Sequence, residues 1–97
     1  MPVNSFAFES VTVSTSSIGL TSATFAPAGA QTAKEAQITS ETASLRYWLD
    51  GTAPTSTVGH ALASGGTIRL RSLSDIQNFR AIRDTGVDAV IRVTYFR

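Results

Sequence analysis

The sequence predicts an all-β single domain, a two-sheet antiparallel sandwich or a jelly-roll-like barrel. Segments of alternating apolar and polar residues recur at roughly 8–12-residue spacing, with turn signals between them. The 97 residues leave room for one core only. A chain of this length buries roughly 60–65% of its unfolded surface, so it is only modestly stable alone and gains from joining a larger assembly.

The first segment, "SFAFESVTVS" (5–14), alternates, but its phase changes. Phe6 and Phe8 share one parity, Val11 and Val13 the other. A β-bulge near Glu9–Ser10 would return both pairs to the core. "IGLTSATFAP" (18–27) supplies one strand or two short ones ending at Pro27. "AGAQTAKEA" (28–36) reads as a loop leading into "AQITSE" (36–41). Residues 1–35 are rich in Ser and Thr and read as part of the domain or as a partly extended arm.

"SLRYWLD" (44–50) is the clearest strand. Leu45, Tyr47 and Leu49 take one face, and Arg46, Trp48 and Asp50 the other. "GTIRLRS" (66–72) turns Ile68 and Leu70 inward and Arg69 and Arg71 outward. "DAVIRVTYF" (88–96) does the same with Ile91, Val93 and Tyr95 against Arg92 and Thr94. "SLSDIQNFRAIR" (72–83) reads as a short turn at 74–77, capped by Ser74, and then a strand with Phe79 and Ala81 on one side. Asp50-Gly51 and Gly65-Gly66 supply the positive φ of tight turns. Gly86, in "RDTGVD", stands where a short hairpin loop calls for a left-handed residue.

Composition excludes several functions. There is no cysteine, hence no disulfide framework and no thiolate metal site. The start, "MPVNSFAFESVTVS", lacks the basic and apolar regions of a secretory signal. No apolar run approaches the ~18–20 residues that span a bilayer. The expectation is a soluble protein made in the cytoplasm, with no membrane partner. Net charge is +1 but unevenly spread. Residues 1–44 carry Glu9, Glu35 and Glu41 against Lys34; residues 45–97 carry seven Arg against four Asp. A second half at +3 with interspersed Asp is a poor counterion-release surface, so nucleic acid is not expected as a partner.

Chemistry is not visible. His60 lies in "TVGHALASGG" with no nucleophile elbow near it. One His without Cys does not make a zinc site. Asp50, Asp75, Asp84 and Asp88 form no calcium loop, and most of them stand at turns, where Asp bonds its own backbone. "ASGG" is a turn and not a phosphate loop. We therefore expect no catalytic residue, no metal and no cofactor. Trp48 and Phe96 lie opposite the aliphatic faces of their strands; they either pack under a loop or form a contact surface for a subunit or a ligand. Arg69, Arg71 and Arg92 form either a solvated face or an inter-subunit patch meeting Glu9, Glu35 and Glu41 of a neighbouring copy.

The stretch "LRYWLDGTAPT" (45–55) resembles a signature of fibronectin-III-like and chitobiase C-terminal-like β-sandwich modules, in which a strand ends in a tight Asp-Gly turn. The longer run from Leu45 to Phe96 resembles small β proteins encoded among the head and tail genes of tailed bacteriophages. Two elements carry this likeness. The first comprises Asp50, Gly51, Thr52, Pro54, Thr55, Gly59, His60, Leu62 and Gly65; the second comprises Ile76, Asn78, Phe79, Arg80, Ala81, Ile82 and Arg83. The resemblance implies a virion structural protein and no enzyme. It would be a capsid decoration or cement protein, or another head accessory, that contacts capsid or connector proteins. By analogy it would be a homo-oligomer such as a trimer. The rival is a glycan- or host-surface-binding module of a tail or spike, which predicts coplanar, exposed Trp48 and Phe96.

Overall fold

The structure, a computed structural model, describes residues 4–27, 29 and 31–97. Met1, Pro2 and Val3 of the N-terminal stretch, and Ala28 and Ala30 of the expected 28–36 loop, lie outside the described residues. Seven strands follow one another as β1 (Ser5–Val13), β2 (Glu35–Glu41), β3 (Leu45–Trp48), β4 (His60–Leu62), β5 (Thr67–Leu70), β6 (Arg80–Arg83) and β7 (Ala89–Phe96). Two short helices, α1 (Ser22–Phe25) and α2 (Leu73–Asn78), complete the chain. Sheet A has the order β1-β7-β2-β5 and sheet B the order β4-β3-β6; every pairing is antiparallel. Of the two predicted architectures, the open two-sheet sandwich is the one that forms.

Alternation builds the core. In β7, Ala89, Ile91, Val93 and Tyr95 are buried. Register places Val93 opposite Glu9 of β1 and Ile38 of β2, and Tyr95 opposite Ala7 and Ala36. Val11, Val13, Ile38 and Leu70 extend this apolar face, and Leu45, Leu62, Phe79 and Ala81 meet it from the side of sheet B in one continuous cluster. Each large side chain so buried contributes roughly 1.5–3 kcal/mol by leaving water.

Three expectations are corrected. The register of β1 against β7 shifts between Ser5 and Ala7 and not near Glu9–Ser10. From Ala7 onward the odd residues face inward, which leaves Phe8 81% exposed instead of buried. In 18–27, Ile18 makes only an isolated bridge to Ala81, and Ser22–Phe25 coils into α1, bringing Phe25 into the core against Tyr95. Gly86 has no positive φ; the hydroxyl of Thr85 accepts from the Val87 amide and organises that turn without it.

Other details hold with altered reasons. Gly51 and Gly65 have φ of +87° and +84°. Gly66 does not, but a Cβ there would lie 2.7 Å from Leu62 Cδ1 and 2.9 Å from the Ala63 carbonyl. The turn before β6 is a full short helix, and its cap is Ser72, not Ser74: Ser72 Oγ accepts from the Asp75 amide at 3.2 Å.

Candidate functional site

The outer face of sheet A gathers most of the residues singled out above. Pairing places Ser10, Arg92, Thr39 and Thr67 in one row across the four strands, and Phe8, Thr94, Gln37 and Arg69 in the next. Phe96 lies opposite Glu35 beyond them. β5 and β7 are separated by β2. That intervening strand supplies the partners of both arginines. Arg69 Nε reaches Glu35 Oε1 at 3.0 Å, and Arg92 Nε reaches Glu41 Oε2 at 2.7 Å. Arg92 also donates to Ser10 Oγ at 2.6 Å. The acids assigned to a neighbouring copy are therefore engaged within the same chain. Exposed pairs of this kind contribute about 0–1 kcal/mol each, so they order the face more than they stabilise the fold.

Two guanidinium groups lie over aromatic rings of sheet A. The Arg69 guanidinium lies 4.4 Å from the centroid of Phe96, and that of Arg97 lies 4.2 Å from Phe6. Phe8 has no such cover. An open hollow of about 440 Å³ beside it is lined by Ser5, Phe6, Ala7, Phe8 and Thr94. Arg71 is exposed beyond the end of β5 and makes no ion pair among the described residues.

Beneath the face, Glu9 is the one charged side chain of β1. It accepts from Tyr95 Oη and, at 2.7 Å, from the Thr21 hydroxyl. Burial, and after it the bond to Glu9 and the carboxylate's charge, push the Tyr95 phenol far above its ordinary value.

Trp48 belongs to the other sheet. It is half-buried, lies opposite Arg80 in the pairing with β6, and meets His60 edge-on at 5.1 Å between centroids. His60 also contacts Tyr47 at 5.4 Å. Trp48 and Phe96 thus share no sheet, and the coplanar pair that a sugar platform would need is not formed. At the end of the β3 segment, the Thr52 amide donates to Asp50 Oδ1 at 3.0 Å and holds that carboxyl below its usual range. Asp50 is here a turn residue. Among the described residues, no group of three or more His, Cys, Asp or Glu is placed to hold a metal, and no helix is long and apolar enough to cross a membrane.

Comparison with family models, with curated proteins and with solved structures finds no match. The surface itself must carry any assignment. Its most prominent residue, Phe8, escaped the sequence reading. The signal was present in Val11 and Val13: extending their odd parity back through β1 without a bulge puts Phe8 outside.

Proposed function

We propose that this chain is a non-enzymatic structural protein of a tailed-phage particle, a capsid decoration, cement or head accessory protein, and that it attaches through the outer face of sheet A. The observation that carries the reading is Phe8. A large ring 81% exposed at the β1 end of an ordered sheet row, opposite Thr94, is the kind of anchor that protein interfaces bury. The low charged fraction, 15%, suits such a contact. So does the likeness to small head and tail proteins that the segment from Leu45 to Phe96 carries. Repetition over a particle lattice lets each contact be weak while the sum is strong.

A second reading, a glycan- or host-surface-binding module of a tail or spike, draws on the hollow beside Phe8, where a ring stands next to the hydroxyl residues Ser5 and Thr94. One experiment separates them: quantitative mass spectrometry of purified particles of the virus that encodes the chain. Copy numbers that scale with the capsid protein are expected. A few copies per particle, together with sugar binding by the purified chain, would favour the second reading. Absence from particles would overturn both.

A further inference from the structure

The two edges of sheet A are built differently. A short helix packs beside each, α2 by β5 and α1 by β1, but β5 has only four residues and Arg69 and Arg71 flank its end. Short length and charge are common ways of protecting a sheet edge. β1 has nine residues, contains neither Lys nor Pro, and pairs only with β7. Among the described residues, no other backbone hydrogen bond is made by Ser5–Val13. Among the described residues, the backbone on its outer side has no strand partner.

We infer that this edge binds a second copy of the chain. Two β1 strands pair antiparallel about a two-fold axis at Ser10 and join two four-stranded sheets into one of eight. Two features of β1 select the register. The irregularity between Ser5 and Ala7 disturbs the first residues, which leaves Ala7–Val13 as the regular stretch, and Ser10 is its centre. Glu9 is the only charge in that stretch, so an axis at Glu9 would set two carboxylates face to face. With the axis at Ser10, Glu9 faces Val11 of the second copy, Ala7 faces Val13, and Phe8 faces Thr12. Inward residues meet inward residues, and the exposed Phe8 ring gains a cross-strand neighbour.

A second layer of contact follows from the chain leaving β1. Ser14 accepts from the Arg83 amide at 3.1 Å, and Ile18 exchanges bonds of 2.8 and 2.9 Å with Ala81. Residues 14–18 therefore run along the free side of β6, below the β1 edge. Ile18 on this segment is 37% exposed. The pairing closes as a dimer, in contrast to the trimer expected by analogy.

The test is the native mass of the full chain, by light scattering on a sizing column over a concentration series. Wild type is expected to rise to twice its 10.2 kDa monomer mass. Phe8→Lys with Thr12→Lys places like charges opposite one another twice and is expected to stay monomeric. Phe8→Lys with Thr12→Glu places opposite charges there and is expected to recover the dimer. Both positions are exposed in the single chain, so the fold is kept. A monomer at every concentration, a trimer or larger ring, a dimer that survives the double lysine, or failure of the Lys–Glu variant to dimerise would each overturn the proposal. The inference does not rest on the particle reading: a monomeric chain leaves that reading standing, and absence from particles leaves the dimer standing.

Discussion

Tyr95 joins parts of the chain that are far apart in sequence. Its ring is fully buried, lies 5.9 Å from that of Phe25, and its hydroxyl donates to Glu9, 86 residues away. The inward direction of Tyr95 was legible from its parity with Ile91 and Val93; the partner was not, because nothing local links it to Glu9. The raised phenol has a consequence for stability. The folded state holds the Tyr95 proton above the pH, about 10, at which the unfolded chain releases it. Stability is therefore fully present below about pH 10 and falls as pH rises beyond, by at most about 1.4 kcal/mol per unit from this group. Urea unfolding of wild type and Tyr95→Phe at pH 8 to 11 checks this. The variant should be about 1–2 kcal/mol less stable at pH 8 and should lose the alkaline slope due to this residue. An unchanged difference across the series would rule the linkage out.

Elements depend on turns whose chemistry the sequence marks only in part. Gly65, with φ of +84°, fits the tight-turn expectation. Gly66 is required for a different reason, the approach of Leu62 and the Ala63 carbonyl, which no local pattern reveals. Gly86 has neither a positive φ nor any atom within 4 Å of an added Cβ. Gly66→Ala should thus cost about 1–3 kcal/mol through overpacking. Gly86→Ala should be neutral or stabilising by about 0.4–1 kcal/mol, since it restricts the unfolded chain without strain. Denaturant midpoints of the two variants measure the contrast, and equal losses would refute it. The segment 72–83 was legible as turn then strand because Ile76, Phe79 and Ala81 change period from helical to alternating within a few residues; its cap, Ser72 and not Ser74, was not. The segment 18–27 was not: four residues of α1 are too few to show a period, and what holds them is Phe25 entering the core.

At the scale of the whole molecule, stability rests on one small core shared by two sheets. Phe79, fully buried and 5.8 Å from the ring of Tyr47, fills the space between α2 and β6. Phe79→Ala should cost about 3–5 kcal/mol. That is a large part of the roughly 5–15 kcal/mol that holds a domain folded. Phe8→Ala should change stability by no more than about 0.5 kcal/mol in the monomer. Urea midpoints for both variants, taken at a concentration where the chain is monomeric, give the comparison. A small loss for Phe79→Ala would show that the core lies elsewhere.

Strand alternation outside β1, the turns at Asp50-Gly51 and Gly65, and the inward faces of β3, β5 and β7 were readable from residue order. Each depends on the two-residue period of a strand or on the backbone freedom of a few turn residues, which are local properties. Three things needed the folded chain: that β2 stands between the arginines of β5 and β7 and pairs with both, that Trp48 and Phe96 belong to different sheets, and that β1 lies at an open edge. These depend on which strands become neighbours. That is settled by how distant segments bury their apolar faces together, and a one-dimensional pattern does not contain it.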